Sequence, residues 1–97
     1  MKILWDGAKS ASNRKKHGLS FEQAGELFLG GADWLEIYDD AHSTFEDRFL
    51  AIGPVESGIV VVVYSEPEDG VLRLISARRA TRQEAKRYAE FARGRQR

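Results

Sequence analysis

Six consecutive residues, Ile59-Val60-Val61-Val62-Val63-Tyr64, constrain this chain more than any other stretch. β-Branched and aromatic residues favour extended backbone, the run is short for a helix, and it offers no polar side to water. It predicts a central strand. Ser65 to Gly70 then places Pro, Asp and Gly in turn positions, and Val71 to Ala77 alternates as the partner strand of a hairpin. That strand ends in Arg78-Arg79. Thr81 with Glu84 three residues on has capping-box spacing, so a helix starts where the arginines stop. A buried strand therefore delivers cations to the end of a sheet.

The rest of the chain supplies the neighbours. Lys2 to Trp5 is a short strand candidate, and Asp6 can cap a helix from about Ala8 to His17 that carries Lys9, Asn13, Lys16 and His17 at helical spacing. Ala8, Ala11 and Ser12 are its small residues for close approach, and Gly18 is placed for a left-handed cap. Ser20 with Gln23 starts a second helix with Phe21, Ala24, Leu27 and Phe28 on one face, closed by Gly30-Gly31. Trp34 to Tyr38 reads as a strand with one wet side, Asp39 to Glu46 as loop, and Asp47 to Ile52 as a strand that turns at Gly53-Pro54. The last helix, about Arg82 to Arg93, presents Ala85, Tyr88, Ala89 and Ala92 at i, i+3, i+4 and i+7. Consecutive strands with short turns pair antiparallel. The pattern predicts one α+β domain over residues 1–97, ordered β-α-α-β-β-β-β-α around a mainly antiparallel sheet.

Composition narrows the chemistry. The chain has no Cys and only His17 and His42 as imidazoles, which argues against thiolate nucleophiles, disulfides and histidine metal clusters, so neither metal nor cofactor is expected. No apolar run approaches the roughly 20 residues of a membrane span, and the N-terminus turns polar too soon for a signal peptide, so the expected location is the cytoplasm. The zero net charge is unevenly distributed. Residues 1–21 carry five cations against Asp6; residues 22–69 carry twelve acids against Arg48 alone; residues 70–97 carry nine cations against Glu84 and Glu90. If the two ends meet, they form a basic face suited to a polyanion.

Each candidate has a plain reading beside the functional one. His17 at a helix C-terminus suits the helix dipole or a substrate. Arg48 pairs with Glu46 or Asp47, or projects over the sheet. Arg73 and Arg78, five apart, fall on opposite faces unless a bulge intervenes. As exposed arginines at a strand end, Arg48 and Arg78 are expected to add little to folding. Glu84 is a cap or a catalyst, and Tyr88 is core or has its hydroxyl at the surface. This inventory suits one reaction without a metal. RNA is cut when its own 2′-hydroxyl attacks the adjacent phosphate, which needs a proton acceptor, cations at the phosphorane and a donor for the leaving oxygen. The alternative is a noncatalytic module whose basic face binds an acidic partner or nucleic acid.

Trp5-Asp6, Lys9, Asn13, Lys16-His17-Gly18, Ser20-Phe21 and Ala24 resemble the opening signature of the BrnT family of bacterial toxins, a branch of the RelE-like ribonucleases. The likeness continues through Arg48-Phe49, Ile52-Gly53, Val63-Tyr64, Arg73 to Ala80, Glu84 and Tyr88, with a departure at Ala85, where an arginine is common, and in the acidic Glu66 to Asp69 turn. The resemblance implies a RelE-like fold, cleavage of RNA, and inhibition by a BrnA-type ribbon-helix-helix antitoxin whose complex with the toxin contacts operator DNA. Under that reading Arg48 and Arg78 stabilise the transition state and His17 and Glu84 are proton-transfer candidates. Tyr88 supports the substrate, and Lys9, Lys16, Arg73 and Arg79 hold phosphates.

Overall fold

A computed structural model describes residues 1–95. Its elements are β1 (Lys2–Leu4), α1 (Gly7–His17), α2 (Phe21–Leu29), β2 (Leu35–Tyr38), β3 (Phe49–Val55), β4 (Gly58–Glu68), β5 (Val71–Arg79) and α3 (Arg82–Arg95), with a 3-10 turn at Asp40–His42. The sheet runs β1-β5-β4-β3-β2, so the valine strand β4 is the middle of five. All neighbours pair antiparallel except β1, which lies parallel to β5.

Two strands outrun their expected turns. β4 continues through Ser65, Glu66 and Pro67 to Glu68, and the turn is Asp69-Gly70. A register shift between Ser65↔Arg73 and Glu68↔Val71 accommodates Pro67, which has no N–H to donate. β3 likewise passes through Gly53-Pro54 to Val55, with the turn at Glu56-Ser57. A Cβ on Gly53 would stand 2.5 Å from Leu27 Cδ1 and 3.2 Å from Trp34 Cβ, so this glycine permits close packing of sheet and helix rather than a bend. β2 pairs only as far as Ile52, leaving that edge free at Pro54.

One sheet face holds the core. Val60, Val62 and Tyr64 of β4, with Ala51 of β3 and Leu72, Leu74 and Ala77 of β5, pack against Leu19, Phe21, Ala24, Leu27 and Phe28. Alternation puts Leu50, Ile52, Val61 and Val63 on the other face, and Ile52 and Val61 are also buried. α3, packed on β3, covers them, so helices flank both faces. Its half-buried stripe is Ala85, Tyr88, Phe91 and Ala92 rather than one including Ala89, which is exposed. The larger Phe91 ring takes that contact beside Tyr88, with centroids 6.1 Å apart.

The small residues expected to seat α1 do not do so: Ala8, Ala11 and Ser12 are exposed, while Ser10 and Asn13 are buried. Polar pairing holds this helix. β1 pairs with β5 only over Val71–Arg73, and beyond it the Asn13 amide takes the place of a strand. Its Nδ2 donates to Ala77 O (2.8 Å) and Leu19 O (2.7 Å), and its Oδ1 accepts from Ala77 N (3.2 Å). Ser10 Oγ accepts from Phe21 N and donates to Glu22, tying α1 to the start of α2. Gly18 ends α1 at φ 72° as the sequence predicts. Among the described residues no helix is long and apolar enough to cross a membrane.

Candidate active site

A bulge in β5 organises the site. Val63 pairs with Ser76 and Tyr64 with Leu74, leaving Ile75 without a partner. The extra residue reverses the alternation, so Arg73 and Arg78 lie on one face, opposite Leu72, Leu74 and Ala77 of the core. By the same alternation Arg48, just before β3, shares that face with Leu50 and Ile52. Two cationic ends result. At one, Leu4, Arg73 and Ser65 are neighbours across the sheet, with Arg48 next along the row. At the other, Arg78 sits across from Val61 and Ile52. Ser65 and Val61 are four residues apart on β4, so the ends are about 13 Å apart.

The first end is an open cleft of about 580 Å³ whose walls include Trp5, Asp6, Lys9, Glu46, Arg48 and Arg73. This is within the range of small-ligand sites. Its acids are already engaged: Asp6 caps α1 by accepting from Ala8 N (2.8 Å) and Lys9 N (3.3 Å), and Glu46 pairs with Arg73. Neither the Lys9 ammonium nor the Arg48 guanidinium has a side-chain partner among the described residues. The cleft therefore presents cations with unused donors.

The second end is clamped. Arg78 donates from Nη1 to Glu84 Oε1 (2.7 Å) and from Nη2 to Glu84 Oε2 (2.9 Å), while Glu84 Oε1 also accepts from Thr81 N (2.9 Å). Glu84 N in turn donates to Thr81 Oγ1 (3.1 Å), completing the expected capping box. The hydrogen bond from Arg78 holds the Glu84 carboxyl well below the ordinary range, at about 2, against the opposing effect of burial. The Arg78 guanidinium is pushed up by the same hydrogen bond. Glu84 is thus both cap and orienter of Arg78, and as a base it is weak.

The remaining candidates lie elsewhere. Arg79 faces the core side, across from Val60, and donates to Ser57 O (3.3 Å) and Ser57 Oγ (3.0 Å). Lys16 and His17 occupy the exposed last turn of α1 and do not line the cleft. Tyr88 donates its hydroxyl to Asp33 O (2.8 Å) before β2, and burial, then the Asp33 charge, raises its pKa. It anchors α3 rather than reaching the cleft. The basic ends of the chain meet through β5, which has α1 along its edge and leads into α3. Among the described residues no group of three His, Asp or Glu side chains is arranged to hold a metal.

Two site residues escape sequence reasoning. Glu46 looks like one more loop acid until the fold brings it to Arg73, 27 residues away. Ser65 looks like turn, yet it is buried between Arg48 and Arg73 in the sheet row, and its hydroxyl has no hydrogen-bond partner among the described residues.

The family described as the ribonuclease toxin BrnT of type II toxin–antitoxin systems matches residues 5–84. The chain belongs to the BrnT family. Membership selects the enzyme over the noncatalytic module and implies an RNA substrate and an antitoxin partner. The 1.1 Å crystal structure of the Brucella abortus ribonuclease toxin BrnT is similar with a TM-score of 0.61 and 33% identity, covering 84% of this chain and 99% of that one. No curated protein matches. The BrnT-matched stretch contains Lys9, Arg48, Arg73, Arg78 and Glu84, and so both cationic ends.

Proposed function

We propose that this toxin is a metal-independent endoribonuclease of the cytoplasm that cleaves RNA by attack of a 2′-hydroxyl on the adjacent phosphate. The single observation that carries this reading is the alignment of Arg48, Arg73 and Arg78 on one sheet face, with Lys9 reaching over it. A phosphorane develops negative charge on its oxygens, and guanidinium donors already gathered on the sheet face stabilise it with little reorganisation.

Arg48 has its whole guanidinium available for that charge. Arg78 has five N–H donors, three of which go to Glu84 and to Arg79 O, leaving two for substrate in a fixed direction. Lys9 and Arg73 hold neighbouring phosphates; a phosphate displaces Glu46 from Arg73 readily, because an exposed ion pair is worth at most about 1 kcal/mol. Lys16 extends this contact along α1. Of the two proton-transfer candidates, Glu84 is too weak a base and His17 lies outside the cleft, so the 2′-hydroxyl proton passes to water in the open cleft and water returns a proton to the leaving 5′-oxygen. Tyr88 supports the site indirectly by fixing α3 and with it Glu84. Arg79 is left out of the RNA path by its ties to Ser57. The proposed inhibitor is a BrnA-type ribbon-helix-helix antitoxin, and operator DNA is contacted only by the toxin–antitoxin complex.

The test is cleavage of single-stranded RNA by the purified full chain in excess chelator. The expected products carry 2′,3′-cyclic phosphate or the 3′-phosphate derived from it, at a rate unchanged by chelation. Loss of cleavage in chelator with recovery on adding one particular divalent metal would sink the mechanism.

A further inference from the structure

The loop between β2 and β3 ends in a feature that folding does not explain. Phe45 is 100% exposed, so its ring forgoes the burial that normally makes Phe stabilising. The loop beneath it is nevertheless braced. Asp39 N donates to Arg48 O (2.8 Å), Arg48 N donates to Ser43 Oγ (3.0 Å), and Ser43 Oγ donates to Asp39 O (2.6 Å). Tyr38 donates its hydroxyl to Asp47 (2.9 Å), and Glu46 reaches across to Arg73. A closed hydrogen-bonded base and an ion pair to the neighbouring strand thus hold up an aromatic ring that touches nothing.

Its position supplies the reason. Phe45 precedes Glu46, a wall of the cationic cleft, and stands three residues before Arg48, which carries the free guanidinium. The aromatic side chain in that wall, Trp5, packs part of its ring toward α2, 3.9 Å from where a Cβ on Gly25 would be. Phe45 is therefore a fully exposed π-face next in sequence to the cleft wall. Single-stranded nucleic acids are held by this combination, cations along the phosphates and an aromatic face beneath a base.

From this we infer that Phe45 stacks one base of the RNA whose phosphates lie on Arg48 and Arg73, making it a substrate-binding contact of the toxin. The inference rests on the RNA-cleaving reading above. Of the loop acids, Asp39 pairs with His42 and Asp47 accepts from Tyr38, while Asp40 and, once RNA has displaced it from Arg73, Glu46 keep charge that repels phosphate from the ring. They steer the phosphates toward the arginines and leave the ring for a base.

The experiment compares the full chain with Phe45→Ala, Phe45→Leu and Phe45→Trp on a short single-stranded RNA. It reads kcat and KM for cleavage, and anisotropy binding of the same sequence made noncleavable by 2′-deoxy substitution. Because the side chain is fully exposed, all variants are expected to melt with the wild type. Loss of one stacked base predicts a fall of about 5- to 150-fold in kcat/KM for Ala and Leu, through KM, with the same loss in binding; Trp retains wild-type values. Moving an abasic site along the RNA should then find one position that weakens the wild type by the same factor and leaves Phe45→Ala unaffected. Kinetics of Phe45→Ala equal to wild type, full activity of Phe45→Leu, or abasic effects identical in both proteins would each overturn the assignment. So would unchanged RNA binding with weakened inhibition by the antitoxin, which would make the ring a protein contact. A wild type that binds RNA without cutting it would sink the catalytic reading separately, since the binding arm still reads Phe45.

Discussion

Two arginine–glutamate pairs face the same side of this sheet, and they are built for different tasks. Arg73 meets Glu46 through one nitrogen, with side chains 47% and 35% exposed, and Glu46 belongs to a loop. Arg78 meets Glu84 through two parallel hydrogen bonds, with side chains 42% and 21% exposed, and Glu84 is fixed again by the Thr81 cap. The first pair is easily exchanged for a phosphate. The second is a geometric part that aims Arg78 and joins β5 to α3. A cation that must release its partner and a cation that must hold direction are thus separated by about 13 Å on one face.

The largest expected effect contrasts Arg48, next to the open pair, with clamped Arg78. Arg48→Ala should lower kcat by about 10²- to 10³-fold, the loss typical of one donor to a developing anion, with thermal stability within about 0.5 kcal/mol of wild type. Arg78→Ala, which removes a cation about 13 Å along the face and so one held against a neighbouring phosphate, should lose less activity but in addition roughly 1 kcal/mol of stability, because it leaves Glu84 without its bidentate partner. The second expectation departs from the view that both arginines are indifferent to folding. Matched gel assays and denaturant melts decide it, and equal melts for the two variants would dissolve the contrast.

A smaller effect isolates the clamp through pH. The Glu84 carboxyl is lowered from its ordinary 4.5 to about 2, so its contribution is complete above the unfolded-state value and is lost as pH falls through the folded one. Wild-type stability should therefore decline between about pH 4.5 and 2 by an amount on the order of 1 kcal/mol, after solvent screening of half-exposed Arg78. Glu84→Gln should remove that part of the acid limb while losing a similar amount at pH 7. Parallel acid limbs in the two proteins would show that the pair does not act as a clamp.

The smallest effects sharpen the exchangeable side. Glu46→Gln should tighten binding of noncleavable RNA by up to about 5-fold, since no carboxylate competes for Arg73. Over a salt series, Lys9→Ala and Arg73→Ala should each reduce the slope of log affinity by up to about 1, while Arg79→Ala leaves it unchanged. A slope that falls with Arg79→Ala as much as with Arg73→Ala would place RNA on both faces and contradict the single open face.

Where local sequence controls the backbone, the chain alone determined the outcome. Ile59 to Tyr64 had to be an inner strand because no polar side chain interrupts it, and Asp6, Ser20 and Thr81 had to start helices because their side chains satisfy free N–H groups nearby. Gly18 similarly ended α1 with a backbone angle that other residues resist. Those signals need only neighbours in sequence. The site needed more. Whether Arg73 and Arg78 share a face depended on the bulge at Ile75, a register choice made between β4 and β5, and alternation within β5 by itself predicts the opposite. Asn13 was visible as a polar residue on a helix, but its partner was the free edge of Ala77, 64 residues away, exposed only because β1 is three residues long. Glu46 at Arg73 and Ser65 beneath the arginines are also products of strand order and register. Tertiary structure decided them because a side chain's polar partner is set by which backbone edges and faces the sheet leaves open, and no local propensity encodes that.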